Sequence, residues 1–207
     1  MKYVYECIGT FFLMLTVGMT VLEPNSAANL APLAIGAILV VFVYAGGHVS
    51  GGHYNPAVSL AVWLRGKLSA SDLGLYWLAQ LAAGVAAAYT VIFIKGAESA
   101  APIALAPSKA LLAEFLFTFA LCYVVLNVAT AKKTNGNSYF GWAIGFTVLA
   151  GAYSVGAISG AVFNPAVALG TAILNLNSWS NLWIFIVGNL LGGVAAALIF
   201  KAAHPNE

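Results

Sequence analysis

Residues 50–58 read Ser50-Gly51-Gly52-His53-Tyr54-Asn55-Pro56-Ala57-Val58, and residues 159–167 read Ser159-Gly160-Ala161-Val162-Phe163-Asn164-Pro165-Ala166-Val167. Both stretches contain a serine, a glycine, an aromatic residue and the sequence Asn-Pro-Ala-Val, in a chain that is otherwise almost uniformly apolar. Irregular backbone at membrane depth is tolerated only where it is buried in protein or lines a cavity. A polar break that occurs twice in such a chain therefore indicates a place where something crosses.

The composition of the chain indicates a membrane protein. Hydrophobic residues make up 62% of its 207 residues and charged residues only 7%, whereas a soluble domain carries about 25% charged residues. A helix needs about 20 apolar residues to span a bilayer. We predict six spans, at 4–22, 31–49, 73–94, 109–130, 139–157 and 181–200. Two shorter apolar segments, 55–64 and 165–174, begin at the Asn-Pro-Ala triplets and are too short to cross as helices.

The distribution of charge predicts the orientation of the chain. The net charge of +2 gives no indication of a nucleic-acid partner. A cytoplasmic N-terminus would place most cations inside the cell, namely Lys2, Arg65, Lys67, Lys132, Lys133 and Lys201. Because cytoplasmic loops of membrane proteins carry an excess of Lys and Arg, we expect both termini in the cytoplasm. We expect the membrane to be a cell membrane, plasma or inner.

The match between the two triplets extends over the whole chain. Asn55 and Asn164 are 109 residues apart, and the same offset pairs further residues: Ile35 with Ile144, Tyr44 with Tyr153, Gln80 with Asn189 and Gly84 with Gly193. Near the start of each half, an offset of 108 pairs Glu6 with Glu114. We therefore predict one channel domain over 1–207, built from a repeat at about 1–95 and a second at about 109–203.

Each repeat contains three spans and one short segment, so the second repeat must be inverted relative to the first. Inverted repeats bring their related elements together near the membrane midplane. The two Asn-Pro-Ala segments are therefore expected to meet there. A linker at about 95–108 joins the repeats, which leaves no room for a soluble domain between them.

The Asn-Pro-Ala triplet predicts the start of a helix. Asn is a strong N-cap residue and Pro is favoured at the first helical position, so half-helices should run from Asn55-Pro56-Ala57 to about Leu64 and from Asn164-Pro165-Ala166 to about Leu174. We expect an extended backbone with unpaired carbonyls before each triplet, at the glycines Gly46, Gly47, Gly51, Gly52, Gly156 and Gly160.

Two opposed half-helices would direct their positive ends at the centre of a pore and repel cations. The side-chain amides of Asn55 and Asn164 would donate hydrogen bonds to a passing oxygen. This arrangement favours a pore for neutral solutes that form hydrogen bonds. The alternative is that each asparagine merely caps a buried helix.

Three further polar residues are candidates for the site. Glu6 and Glu114 are ionisable groups within predicted spans, where such groups are usually functional. We predict that each accepts hydrogen bonds from the irregular loop of its own half; a proton relay is the alternative. His53 is expected to border the cytoplasmic half of the pore and, with an unperturbed pKa near 6.5, would respond to pH. Alternatively, His53 is simply hydrogen-bonded into its loop.

The sequence gives no indication of an enzyme, since it lacks a recognisable nucleophile, acid–base or phosphate-binding motif. Cys7 and Cys122 fall within predicted spans and suggest neither a disulfide framework nor a metal site. We therefore expect no cofactor.

Taken together, these features make the chain resemble the aquaporins, the major intrinsic protein family. The resemblance covers Glu6 to Lys201 and depends on three features: the stretch from His48 to Val58, the second triplet, and the paired Glu6 and Glu114. It implies an all-α bundle of six membrane-spanning helices with two re-entrant half-helices, a homotetramer, and one pore in each subunit.

In this family four positions form a narrow outer filter, and the resemblance places them at Ile35, Ala152, Ala161 and Val167. Most members have arginine where this chain has Val167, and water-selective members usually add histidine where it has Ala152. Glycerol-conducting members typically follow the arginine with aspartate, and this chain has Ala168 there. The only arginine of the chain, Arg65, follows the first half-helix and cannot replace the missing one. All four filter residues are apolar, which implies a wider filter with fewer hydrogen-bond donors.

We therefore expect a passive channel for water and small uncharged solutes. The expected solutes are glycerol-like polyols, urea, ammonia and neutral metalloid hydroxides such as arsenous acid. Protons should still be excluded, although with less margin because the filter carries no fixed charge. A water-selective aquaporin is the main alternative. A coupled transporter, which also uses inverted repeats and broken helices, and a non-conducting structural member are less favoured.

Overall fold

The computed structural model describes residues 1–24, 26–96 and 101–207. Eight α-helices lie within these residues: α1 (Lys2–Val21), α2 (Ala31–Ser50), α3 (Pro56–Leu64), α4 (Ala70–Lys95), α5 (Pro107–Val125), α6 (Phe140–Ser159), α7 (Pro165–Ile173) and α8 (Leu182–Ala203). A π-helical turn at Leu126–Thr130 continues α5, and short 3-10 helices occur at Ala28–Leu30, Lys132–Thr134 and Trp179–Asn181. The described residues contain no β-strand.

Six of these helices are long and apolar enough to cross a membrane, and they coincide with the six predicted spans. The two short helices, α3 and α7, begin at Pro56 and Pro165, directly after the asparagines. The predicted all-α architecture of six spanning helices and two half-helices is therefore confirmed. The predicted linker includes residues 97–100, which lie outside the described residues.

The glycines before each triplet differ from the prediction. Gly46, Gly47 and Gly156 are helical, because α2 continues to Ser50 and α6 to Ser159. The irregular backbone is thus confined to five residues before each half-helix. It begins at a glycine in the left-handed region, Gly51 with φ of 90° and Gly160 with φ of 88°. Gly46 is required for another reason, since a β-carbon there would collide with the hydroxyl of Tyr54.

Helices of the two halves pack against each other across the centre of the bundle. Helix α4 of the first half packs against α7 of the second, and α8 packs against α3. A β-carbon on Gly84 would lie 2.5 Å from the carbonyl oxygen of Ala166, and one on Gly193 would lie 2.7 Å from that of Ala57. Glycine is needed at both positions because the half-helix of the opposite repeat passes so closely, as is common where helices cross in membranes.

Both ends of the chain lie on the same face of the bundle, which we call the terminal face. Lys2, at the start of α1, forms an ion pair with Asp72 at the start of α4, at 2.8 Å. Glu207, at the other end of the chain, forms an ion pair with Arg65 after α3, also at 2.8 Å. An even number of crossings between the two ends is consistent with this arrangement.

Candidate functional site: a path between the two half-helices

Asn55 and Asn164 connect the two half-helices reciprocally. The Nδ2 of Asn55 donates to the carbonyl of Phe163 at 2.8 Å, and the Nδ2 of Asn164 donates to the carbonyl of Tyr54 at 2.8 Å. Their side-chain oxygens accept from the backbone N–H groups of Ala57 and Ala166, each at 2.9 Å. Because an amide nitrogen carries two hydrogens, each asparagine caps its helix, bonds to the opposite loop and retains one further N–H.

Both asparagines line a cavity of about 350 Å³ between the half-helices. The four residues at the predicted filter positions also line this cavity: Ile35, Ala152, Ala161 and Val167. Ile35 lies in α2, whereas the other three lie in α6, in the second irregular loop and at the start of α7, so the fold brings one residue of the first half together with three of the second. Since all four side chains are apolar, this part of the wall offers no side-chain hydrogen-bond donor.

A second cavity, of about 590 Å³, opens at the terminal face. Its wall is more polar and includes charged residues from four segments: Lys2, Lys67, Asp72 and Lys132. His53 and Val125 line both cavities, so these two residues lie where the cavities approach each other. The two cavities together form a path that runs from the terminal face past both asparagines.

Glu6 holds the first irregular loop through buried hydrogen bonds. Its carboxylate accepts from the backbone N–H groups of His53 at 2.9 Å and Tyr54 at 2.6 Å, and from the hydroxyl of Ser50 at 2.7 Å. The side-chain amide of Gln80 also donates to it, at 2.8 Å. The predicted bonds from Glu6 to its own loop are therefore present.

Glu114 holds the second loop in the same way. Its carboxylate accepts from the backbone of Val162 at 2.9 Å and Phe163 at 2.7 Å, and from the hydroxyl of Ser159 at 2.7 Å. With its amide oriented to suit these neighbours, Asn189 donates to Glu114 at 2.9 Å and accepts from the N–H of Asn164 at 2.7 Å. Gln80 and Asn189 match each other in the repeat, but their sequence pattern alone did not reveal this supporting role.

The two carboxylates stabilise backbone that would otherwise be unfavourable. Tyr54 and Phe163, which directly precede the asparagines, have positive φ angles of 48° and 50°. Bulky residues rarely adopt this region, at a cost of order 1–3 kcal/mol each. Each aromatic residue donates its N–H to a glutamate and accepts from the opposite asparagine through its carbonyl. These charged and buried hydrogen bonds offset the strain and determine the direction of the loop.

Some of the loop carbonyls predicted to be unpaired do have partners. Those of Tyr54 and Phe163 accept from the asparagines, and that of Ser50 accepts from the hydroxyl of Tyr76 at 2.7 Å. The carbonyls of residues 51–53 and 160–162 have no donor among the residues that the structure describes. These two short runs of carbonyl groups are therefore available to a molecule in the path.

His53 is hydrogen-bonded within the first half and also lines both cavities; its response to pH stays a prediction. Its Nδ1 lies 3.1 Å from the hydroxyl of Ser59, which also accepts from Gln80 at 2.9 Å. The same imidazole lines both cavities. The matching residues in the second half, Val162 and Ala168, are apolar. The polar chain that runs from His53 through Ser59 and Gln80 to the buried Glu6 therefore has no equivalent at residues 162 and 168 of the second half.

Replacing Glu114 by glutamine tests the loop support. The amide would place an NH₂ group against donors that now reach a carboxylate, so Val162 or Phe163 would lose its acceptor. Hydrogen bonds to charged groups contribute about 1.5–3 kcal/mol each. We expect Glu114→Gln to lower the unfolding temperature of the protein in lipid, measured by thermal denaturation. The exposed Glu23→Gln is the matched control, and equal unfolding temperatures for both variants would contradict this role of Glu114.

Comparison with known proteins gives one consistent result. Residues 1–200 match the family model described as major intrinsic protein. Aquaporin NIP1-4 of Oryza sativa subsp. japonica is 36% identical over 204 residues, which cover 95% of this chain and 74% of the relative. Aquaporin TIP1-1 of Arabidopsis thaliana is 36% identical over 196 residues, which cover 89% of this chain and 77% of the relative.

A solved structure, that of the aquaglyceroporin from Plasmodium falciparum, has a similar fold. It superimposes with a TM-score of 0.80 over 99% of this chain and 96% of its own. Its sequence is only 20% identical, so this likeness concerns the arrangement of the helices and not the choice of solute.

Proposed function

The chain belongs to the major intrinsic protein family and is a passive membrane channel for water and small solutes, and from this premise we propose how it selects them. The path between the two half-helices is the pore. Ile35, Ala152, Ala161 and Val167 form its selectivity filter. The solutes are water and small uncharged molecules: glycerol-like polyols, urea, ammonia and neutral metalloid hydroxides such as arsenous acid.

The observation that carries this proposal is the apolar residue Val167 directly after the second triplet. Val167 is buried at 4% exposure and lines the same cavity as Ile35, Ala152 and Ala161. Two of these four side chains are single methyl groups. The filter therefore leaves space for solutes larger than water and offers them no side-chain donor.

A solute that enters such a filter loses hydrogen bonds to water, and other groups along the path must replace them. Removing a hydroxyl from water without a new partner costs about 1–3 kcal/mol. The carbonyl groups of residues 51–53 and 160–162, together with the remaining N–H of Asn55 and Asn164, supply partners along the path. A polyol or urea has donors and acceptors along its length, so it can use both sets. The path therefore favours the passage of neutral molecules that form hydrogen bonds over that of purely apolar molecules.

Cations and protons are excluded by the two half-helices in this proposal. The N-termini of α3 and α7 meet at the asparagines, and each contributes the positive end of a helix dipole. No Lys or Arg side chain lines the cavity of the proposed filter among the described residues, so exclusion depends on the dipoles and on Asn55 and Asn164. We expect no proton current above that of empty liposomes in a pH-dye assay with purified channels. A current well above that leak would contradict this prediction.

The proposed orientation places the terminal face in the cytoplasm of a cell membrane, with four chains assembled into a homotetramer. The terminal face carries cations from the loops between helices and from both chain ends, including Lys2, Arg65, Lys67 and Lys132. This distribution follows the excess of Lys and Arg in cytoplasmic loops. Exposed apolar side chains along the long helices provide surface for lipid and for neighbouring subunits.

Stopped-flow light scattering on proteoliposomes tests the proposed selectivity. We expect both water and glycerol to equilibrate faster than in empty liposomes. Fast water with glycerol at the empty-liposome rate would show a water-selective channel. Dependence of uptake on an ion gradient would show a coupled transporter, and background rates for all solutes would show a non-conducting member.

A cysteine variant tests where the filter lies. Ala161 is partly buried and lines the filter cavity, whereas Cys7 and Cys122 line neither of the two cavities. We expect mercury to leave the water permeability of the parent unchanged, because the parent has no cysteine at position 161. Mercury should block water flow through Ala161→Cys, and a thiol reductant should restore that flow. Ala202→Cys, exposed near the end of α8, is the control for surface labelling. An Ala161→Cys channel that resists mercury as the parent does would place the filter elsewhere.

A further inference from the structure

The last residues of the chain return across the terminal face after α8 ends at Ala203. The Oε2 of Glu207 accepts from the Nη2 of Arg65 at 2.8 Å. The two carboxylate oxygens of Glu207 also accept from the backbone N–H of Lys132, at 2.8 and 3.0 Å. In addition, the Nζ of Lys132 donates to the carbonyl of Asn206 at 3.1 Å. One carboxylate thus connects two segments that are distant in sequence.

The ion pair between Arg65 and Glu207 is shielded from water. Their side chains are only 5% and 13% exposed, compared with 40% and 18% for the pair of Lys2 and Asp72 on the same face. The guanidinium of Arg65 also lies over the ring of Phe200, 4.8 Å from its centroid. Exposed ion pairs contribute little, but removing one partner of a shielded pair leaves an uncompensated charge, which is strongly unfavourable.

The two segments that Glu207 joins both contribute residues to the wall of the terminal cavity. Arg65 directly follows α3, and Lys67 and Leu68 shortly after it line the cavity. Lys132 follows the π-helical turn at the end of α5, and residues 129–132 line the cavity from that side. One wall comes from the first half of the chain and the other from the second. Helix α8 packs against both α3 and the π-helical turn, and the carboxylate of Glu207 adds a polar bridge between the two wall segments at the terminal face.

We propose that Glu207 is a positioning residue for the mouth of the pore at the terminal face. Its carboxylate holds the corner after α3 and the segment after α5 at the separation that keeps the cavity of about 590 Å³ open. Without the carboxylate, Arg65 carries an uncompensated charge and must move toward water. Lys67 and Leu68, which follow Arg65 in the chain, line the cavity at the terminal face, so this movement narrows the mouth and slows permeation.

The test compares three variants in proteoliposomes: Glu207→Gln, Arg65→Gln and the double variant with both substitutions. Glu207→Gln keeps an oxygen for the N–H of Lys132 but leaves the charge of Arg65 unpaired. The double variant removes both charges and leaves two amides that can hydrogen-bond to each other, so no shielded charge is left uncompensated. Water permeability per channel is measured by stopped-flow light scattering well below the unfolding temperature of every variant. Glu23→Gln, on the opposite face, is the matched control.

We expect Glu207→Gln to lower water permeability several-fold, and the double variant to recover most of the loss. Parent-like permeability in Glu207→Gln would overturn the proposal. A loss of water permeability that the double variant fails to recover would also overturn it. The loss would then come from the changed size of the side chain at residue 207 and not from the unpaired charge of Arg65. The inference requires the path described above to be the pore. If the parent conducts no water, the proposed channel function itself is contradicted. If the parent and Glu207→Gln conduct water equally well, only the role of Glu207 is contradicted, so the two results are distinguishable.

Discussion

Replacing Val167 by arginine is expected to abolish glycerol uptake while water flow remains measurable. Val167 lines the cavity between the half-helices together with Ile35, Ala152 and Ala161, the other residues of the proposed filter. Arginine would occupy the space that these small side chains leave and would add a fixed positive charge with five N–H donors. Glycerol no longer fits, whereas a single water molecule passes and gains hydrogen bonds from the guanidinium.

The measurement is stopped-flow light scattering with parallel water and glycerol gradients on the same proteoliposomes. We expect glycerol uptake in Val167→Arg to fall to the rate of empty liposomes. Val167→Leu is the matched control, because it enlarges the side chain without adding charge or donors and should retain part of the glycerol flow. Rapid glycerol uptake through Val167→Arg would show that Val167 is not at the narrowest part of the pore.

Replacing Gly84 by alanine is expected to lower the free energy of unfolding strongly, because it disrupts the packing between the two halves. The added β-carbon would lie 2.5 Å from the carbonyl oxygen of Ala166, far inside van der Waals contact. The obstacle is the backbone of the half-helix α7, which cannot rotate away as a flexible side chain would. We expect a destabilisation of about 3 kcal/mol, the upper end of the usual cost of overpacking, together with loss of water permeability.

Gly74 provides the matched control on the same helix. A β-carbon there meets nothing within 4 Å, so Gly74→Ala should unfold at the temperature of the parent or slightly above it. Gly193→Ala should resemble Gly84→Ala, because its β-carbon would lie 2.7 Å from the carbonyl of Ala57 in the opposite half-helix. Thermal unfolding of the four proteins in lipid checks these expectations. Parent-like stability of Gly84→Ala would contradict the close approach of α4 and α7.

Much of the fold was predictable because its signals are local or repeated. Apolar length identifies a spanning helix without reference to other segments, and Asn-Pro specifies a helix start through its own side chain and ring. The offset between Asn55 and Asn164 implied the inverted repeat. Glu6 and Glu114 could be assigned to their loops because charged groups within spans need partners and the repeat places both at equivalent positions.

Errors and omissions arose where one pattern admits several structures. Gly46, Gly47 and Gly156 were expected to be extended, but each lies in a helix. Glycine permits both states, and the close approach of Tyr54 to Gly46 is visible only in the packed structure. The partners of the Tyr54 and Phe163 carbonyls were also missed, because each donor, an asparagine, belongs to the opposite half.

The sequence by itself determined the six spans, the two half-helices, their asparagine caps and the inverted duplication, since each depends on periodicity, length or a repeated motif. Only the tertiary structure decided which helices cross between the halves, which carbonyls remain available in the path, and how Glu207 bridges Arg65 and Lys132. The physical reason is that these features depend on distances between residues far apart in the chain. Packing sets such distances, and no local pattern of residues encodes them.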